Sequence, residues 1–66
     1  MTEPRLAAFI RTYDGLFKIY DMGQDWRIIG PNFERWASAW GADKKGSLKR
    51  AISIIPGADP EEATYT

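Results

Sequence analysis

The chain has 66 residues and a formal net charge of zero, and it contains neither cysteine nor histidine. A chain of this length forms one domain at most and buries only about 60% of the surface that its unfolded form exposes. Without cysteine there are no disulfides and no thiolate metal sites, and without histidine the commonest zinc ligand and the commonest general base are absent.

Charge and hydropathy patterning give two further expectations. The N-terminal residues up to Pro4 show no basic segment and no long apolar run, so neither a signal peptide nor a membrane span is supported, and we expect a cytoplasmic protein. Residues 1–57 hold nine cations and six acids, whereas residues 58–66 hold three acids and no cation. The net charge of zero argues against an electrostatically driven nucleic-acid binder, for which a strongly basic domain is typical.

Residues 6–21 predict a β-hairpin, because Asp14-Gly15 lies between two runs rich in β-branched and aromatic residues. We take Asp14 and Gly15 as a two-residue type I′ turn. In this register Arg11 lies directly opposite Lys18. Like charges facing each other across two strands are destabilising by a fraction of a kcal/mol, within a range of about 0.2–1.

A third strand, Trp26 to Ile29, follows a turn at residues 22–25. Alternation along the strands divides their side chains between two faces of the sheet. One face is apolar and carries Leu6, Ala8, Ile10, Phe17, Ile19, Trp26 and Ile28. The second face mixes aromatic, aliphatic and cationic side chains, and it carries Phe9, Arg11, Tyr13, Leu16, Lys18, Tyr20, Arg27 and Ile29.

Residues 32–41 predict a first helix. Gly30-Pro31 ends the third strand, Asn32 is the expected N-cap and Gly41 the expected stop. Four apolar residues have the i, i+3, i+4, i+7 spacing of one helical stripe, namely Phe33, Trp36, Ala37 and Trp40.

A second short helix is expected to start at Ser47, its predicted cap, and to end at Pro56-Gly57. Its apolar face consists of Leu48, Ala51, Ile52 and Ile55. The alternative is one helix that continues through residues 42–46 with a kink, which Gly41 and Gly46 make less favourable.

Together these elements predict an α+β fold: a three-stranded antiparallel β-meander with two short C-terminal helices packed on its apolar face, in the order βββαα. Residues 1–57 form the single predicted domain. Residues 58–66 are expected to be a flexible acidic tail that is mostly disordered, because almost no apolar residue follows its helix-start signal at Asp59-Pro60.

Catalytic patterns are weak throughout the chain. Residues 41–47 have two glycines five positions apart before Ser47, as a phosphate loop does, but the required lysine before the hydroxyl residue is missing. The serines have no histidine to activate them, and Asp21 with Asp25 supplies too few oxygens for a calcium loop. We therefore expect a protein that is not an enzyme and needs no cofactor or metal.

The second sheet face is the strongest candidate for function, since aromatic and arginine side chains dominate protein interfaces. The candidate partner-binding residues are Phe9, Arg11, Tyr13, Lys18, Tyr20 and Arg27. A secondary basic patch consists of Lys44, Lys45, Lys49 and Arg50. Either surface, the sheet face or the second helix, is a candidate for the contact.

We expect a binding module that docks on a larger protein, because the net charge is zero and the face mixes apolar with cationic groups. Three alternatives stay open: the face binds nucleic acid by stacking and phosphate neutralisation, it pairs with its copy in a homodimer, or it faces solvent with its Arg and Lys stems covering the aromatic rings. A chain so short, beginning at Met and lacking catalytic groups, also fits the size class of accessory inhibitors that phages or plasmids carry, including those that block host defence proteins.

Overall fold

The computed structural model describes residues 4–39 and 43–66. In these ranges one antiparallel sheet has the strand order β4-β3-β2-β1-β5, and a single α-helix packs on it. The strands are β1 (Arg5–Thr12), β2 (Gly15–Asp21), β3 (Asp25–Gly30), β4 (Phe33–Ser38) and β5 (Thr64–Tyr65). Helix α1 spans Lys44–Ile52, and a 3-10 turn at Pro60–Glu62 precedes β5. The α+β class and the antiparallel sheet are as predicted, whereas the numbers of strands and helices differ.

One face of the sheet is buried beneath α1, as the alternation predicts. The core consists of Ala8, Ile10, Phe17, Ile19, Trp26, Ile28, Leu48, Ala51, Ile52 and Ile55. Leu6 departs from the prediction, because a bulge between Leu6 and Ala8 shifts the register and pairs Leu6 with Tyr20. The apolar positions of the second predicted helix thus do pack on the apolar face of the sheet.

The β1–β2 hairpin turns one residue earlier than predicted. Thr12 pairs with Gly15, so the turn residues are Tyr13 and Asp14. Gly15 has a φ of 131°, whereas neither turn residue has a positive φ. The predicted type I′ turn at Asp14-Gly15 is therefore wrong, since that turn needs positive φ at both of its central residues.

The earlier turn moves the register of the hairpin by two residues. Arg11 pairs with Leu16, and Lys18 pairs with Phe9. The predicted Arg11/Lys18 opposition is therefore wrong. A shift of two residues, unlike a shift of one, returns each side chain to the same face. For this reason the division of β1 and β2 between the two faces survives the error in the turn, apart from Tyr13 and Leu6.

Residues 33–38 form β4 and not the predicted first helix. The chain reverses at Pro31-Asn32, where Asn32 has a φ of 53°; asparagine tolerates this left-handed conformation. Phe33, Arg35 and Ala37 alternate toward the core side, and Glu34, Trp36 and Ser38 toward the other side. Trp40 and Gly41, the remainder of the predicted stripe and stop, lie outside the described residues.

Aromatic packing fixes the β3–β4 hairpin against the rest of the sheet. A Cβ added at Gly30 would lie 2.2 Å from Cδ2 of Phe17, so the Phe17 ring occupies the space that a larger residue would need. The rings of Phe17 and Phe33 meet edge to face, with their centroids 5.4 Å apart. Glycine at position 30 thus permits the close approach that anchors β4.

Helix α1 corresponds to the second predicted helix, but it begins at Lys44. Asp43 is its N-cap and accepts a hydrogen bond from the Gly46 N–H over 2.6 Å. Ser47, the predicted cap, is instead buried inside the helix, where its Oγ accepts a hydrogen bond from Nε1 of Trp26 over 3.1 Å. This hydroxyl also donates to the Lys44 carbonyl, so Ser47 ties the helix to the sheet.

The C-terminal segment is folded onto the sheet, in contrast to the predicted disordered tail. β5 pairs with β1 opposite Ala8 and Phe9. Beyond it, the Thr66 N–H donates to the Ala7 carbonyl over 3.0 Å. Composition alone does not reveal this structure, because backbone pairing at an open sheet edge needs few apolar side chains.

Candidate functional site

The face of the sheet opposite α1 carries side chains from four strands, and we call it the open face. Its central residues are Phe9, Arg11, Leu16, Lys18, Tyr20, Arg27, Ile29, Glu34 and Trp36. None of these side chains is buried. Since α1 packs on the other side, the fold uses only one face of the sheet for its core.

A preorganised cluster lies at the β3–β4 end of the open face. Trp36 pairs with Arg27 across the two strands, and the Arg27 guanidinium carbon lies 5.4 Å from the centroid of the Trp36 ring. Nε of Arg27 donates to Oε2 of Glu34 over 2.8 Å, and Nη2 donates to the same oxygen. The carboxylate thus holds the guanidinium against the indole, which remains 54% exposed.

Exposed apolar side chains continue from this cluster along the sheet. Ile29 lies between Lys18 and Glu34 in the strand register, and it is 37% exposed. Leu16, at the start of β2, is also exposed. A depression of about 160 Å³ lies where the face meets the N-terminal segment, lined by Pro4, Tyr20, Met22, Arg27 and Ile29. Small-molecule sites usually measure about 300–1,000 Å³, so this depression suits one side chain of a partner.

Two cations of the open face have no ion-pair partner within residues 4–39 and 43–66. These are Arg11 and Lys18. In the register their neighbours across the strands are apolar: Leu16 for Arg11, and Phe9 with Ile29 for Lys18. The open face therefore has a free positive charge at its β1–β2 end and a neutralised Arg27–Glu34 pair at its β3–β4 end.

The predicted basic patch lies on α1, in the other layer of the molecule. Nζ of Lys44 lies 2.6 Å from Oδ2 of Asp21, and Nζ of Lys49 lies 3.9 Å from Oε1 of Glu61. Lys45 and Arg50 are exposed. Two of the four cations are thus paired, and the structure does not bring this patch together with the open face.

Asp21 joins the sheet to the start of α1. Its Oδ1 also accepts a hydrogen bond from the Gly23 N–H over 2.8 Å. The hydrogen bond from Lys44 holds the pKa of the Asp21 carboxyl below its ordinary value of 3.8, and it outweighs the opposing effect of burial. A groove of about 360 Å³ lies beside this pair, with Arg5, Lys45 and Trp26 among its lining residues.

The structure brings five of the six candidate binding residues onto one face: Phe9, Arg11, Lys18, Tyr20 and Arg27. Tyr13 is separated from them, because it lies fully exposed in the β1–β2 turn. Sequence reasoning missed Trp36 and Glu34, since it placed both on a helix. The pair Pro31-Asn32, interpreted as a two-residue turn, would have placed them on the open face.

Comparisons with known proteins find no match for this chain among family models, curated proteins or solved structures. Within the described ranges, no helix is long and apolar enough to cross a bilayer. No group of three or more carboxylate, imidazole or thiol side chains is placed to hold a metal ion in that part of the chain. The open face is therefore the surface from which a function is inferred.

Proposed function

We propose that this chain is a small, non-catalytic binding module that docks its open face on a larger protein. The observation that carries the proposal is the cluster of Trp36, Arg27 and Glu34 beside the exposed Ile29. Tryptophan, tyrosine and arginine are the residues that most often dominate binding energy at protein interfaces. Here an indole and a guanidinium are already held in one arrangement, which lowers the entropy cost of ordering them in a complex.

The size of the surface fits a protein partner. A standard interface takes about 800 Å² from each side, and the whole accessible surface measures 4669 Å². One face of the five-stranded sheet, with its flanking turns, is the surface that we propose supplies this area. The depression beside Tyr20 and Arg27 has room for one inserted side chain.

The charge of the open face also favours protein over nucleic acid. Among the described residues of this face, only the cations Arg11 and Lys18 have no ion-pair partner in residues 4–39 and 43–66. Two phosphate contacts give a slope of log K against log salt of only about −1.4 to −1.8. The partner surface we propose has an apolar centre, which covers Trp36 and Ile29, and acidic groups opposite Arg11 and Lys18.

Nucleic acid is the second candidate, and a specific observation supports it. Phe9 and Tyr20 lie on the same face as Arg11 and Lys18, an arrangement that single-strand binders use to stack bases and neutralise phosphates. Under this alternative, Trp36 would serve as a third stacking ring.

The finer proposal concerns the kind of partner. We propose a cytoplasmic inhibitor of phage or plasmid type that occupies a surface of a host protein, including a defence protein. It is supported by the weakness of every catalytic pattern in the sequence, and it does not depend on which face makes the contact.

The test uses three immobilised baits: the wild-type chain, Trp36→Ala and the control Ile54→Ala, which truncates an exposed apolar side chain just beyond the C-terminal end of α1. Each bait is exposed to an extract of the organism that encodes the chain, with and without nuclease. We expect a protein that the wild type and Ile54→Ala retain, that Trp36→Ala retains about tenfold less, and that nuclease does not release.

Circular dichroism first confirms that all three baits are folded. Equal retention by Trp36→Ala would show that the open face is not the contact surface. Loss of the protein after nuclease treatment would favour the nucleic-acid alternative. Direct binding of the wild type to a labelled single strand at low salt would then complete that case.

A further inference from the structure

β4 is an outer strand of the sheet, and no strand of the described chain pairs with its far side. The Ala39 N–H donates to the Gln24 carbonyl over 3.1 Å, which fixes the alternation of inward and outward backbone groups along β4. Every second residue before Ala39 also directs its backbone N–H and C=O groups toward β3. The residues between them, including Glu34 and Trp36, direct these groups away from β3. Such an edge is a template for pairing with a further strand.

Arg35 occupies this edge in an unusual position. It pairs with Ile28, a fully buried residue, and so lies on the core side of β4, yet its own side chain is exposed. Nη1 of Arg35 donates to the Glu34 carbonyl over 3.0 Å, and its guanidinium carbon lies 5.1 Å from the centroid of the Phe33 ring. The Arg35 side chain is thus hydrogen-bonded to one of the outward carbonyls that a new strand would need as an acceptor.

We propose that Arg35 keeps the β4 edge closed to a second copy of this chain, and that its removal turns the edge into a self-pairing surface. A charged side chain on the inward side of an edge strand is a recognised way to prevent such pairing. The proposal concerns the edge of the sheet, and it is independent of the partner proposed for the open face.

Symmetry explains why the second copy is the excluded partner. Two β4 strands related by a two-fold axis would pair antiparallel, and hydrogen bonds would form between residues whose backbone N–H and C=O groups point outward. Two registers pair most of the strand. In one the two-fold axis passes beside Arg35, and in the other it passes beside Trp36. In the first, the two Arg35 side chains are directly opposed; in the second, they are diagonal neighbours about 7–8 Å apart. Both registers bring like charges together.

Without Arg35 the same edge favours association. Phe33 and Ala37 would then form an apolar strip on the core side, and the register centred on Trp36 would bring its two copies together on the open face. The outward N–H and C=O groups of Glu34 and Trp36 would supply the backbone hydrogen bonds.

Sedimentation velocity from about 10 to 500 µM tests the proposal on four chains. We expect the wild type and Arg35→Glu, which keeps a charge at the edge, to stay monomeric. Arg35→Ala is expected to self-associate at least about tenfold more strongly. Adding Trp36→Pro to Arg35→Ala removes an outward N–H and is expected to restore the monomer, because proline cannot donate to the new pairing.

Amide hydrogen exchange provides the second measurement. In Arg35→Ala at high concentration the Trp36 amide is expected to become protected, with no such change in the wild type. An Arg35→Ala chain that stays monomeric at the highest concentration would overturn the proposal. Association that persists in the Arg35→Ala/Trp36→Pro chain would also overturn it, since the contact would then lie elsewhere.

Discussion

On the side of the sheet that faces α1, the central strand residues are buried and apolar, whereas on the open face every side chain is at least partly exposed. Polar atoms on the buried side are hydrogen-bonded. The indole N–H of Trp26 donates to Oγ of Ser47, and no buried side-chain nitrogen or oxygen in the described ranges lacks a partner. Folding therefore accounts for the choice of residues on one side only. On the open face Trp36, Ile29 and Leu16 are exposed beside three cations, of which one stacks on the Trp36 ring and two have no ion-pair partner in the described ranges. Packing of the core does not require this arrangement.

The largest expected effect is on the buried side, at Phe17. Phe17→Ala removes a ring that packs on Gly30 and Phe33, and such truncations cost about 3–5 kcal/mol. A chain of this size has a total stability of about 3–10 kcal/mol, so the variant is expected to be largely unfolded or close to it. Urea denaturation measures the loss, and a loss below about 1 kcal/mol would show that the hairpin is not anchored there.

A smaller effect is expected where the core is polar. Ser47→Ala leaves the buried Trp26 N–H without its acceptor, at a cost of about 1–3 kcal/mol in the free energy of unfolding. Ser53→Ala is the matched control, because its hydroxyl donates to the Lys49 carbonyl at an exposed site, and it should change stability by less than about 0.5 kcal/mol. Equal losses in urea denaturation would argue against the Trp26–Ser47 contact.

The Asp21–Lys44 pair predicts a modest dependence of stability on pH. Because the folded state lowers the pKa of Asp21 from its ordinary value of 3.8, the stabilising contribution is fully present above that value and is lost as the pH falls through the lowered pKa. Lys44 is largely exposed, so solvent screening keeps the contribution of the pair below about 1 kcal/mol.

Asp21→Asn measures this contribution, because asparagine cannot titrate. The difference in stability between the wild type and Asp21→Asn is expected to shrink as the pH is lowered from neutral to below 3.8. Urea denaturation at the two pH values gives the comparison. A difference that stays constant or grows on acidification would have the wrong sign for a lowered pKa.

The smallest effect on stability is expected on the open face. Ile29→Ala and Ile54→Ala truncate side chains of similar exposure, 37% and 44%, on the open face and just beyond the C-terminal end of α1. Each should change the free energy of unfolding by less than about 0.5 kcal/mol. A loss of about 2 kcal/mol in Ile29→Ala would show that the open face contributes to folding after all.

Much of the buried face could be predicted from the sequence, because side-chain alternation has a period of two and survives an error of two residues in the register. The turn at Tyr13-Asp14 shows this: the predicted Arg11/Lys18 pair was wrong, yet the faces of β1 and β2 were correct apart from Tyr13 and Leu6. Ile10, Phe17, Ile19 and Trp26 are therefore buried as expected.

β4 could not be predicted in the same way, because its six residues fit both the period of an α-helix and the period of a β-strand. Phe33, Trp36 and Ala37 have helical spacing, and Phe33 and Ala37 also alternate as in a strand. The Pro31-Asn32 turn and the space that Gly30 leaves for Phe17 decide between the two. The contact between Gly30 and Phe17 joins residues that are far apart in the sequence, so the spacing of neighbouring residues does not reveal it. The same holds for β5, which exists because the edge of β1 is available to it.

The most direct test of the central claim, that the open face is the surface a partner contacts, is photo-crosslinking in the organism that encodes the chain. A benzophenone amino acid replaces Ile29 in one chain and Ile54 in the other, so that two sites of similar exposure are compared. We predict a discrete protein adduct from position 29 and none from position 54. An adduct from position 54 alone, or none from position 29, would contradict the claim.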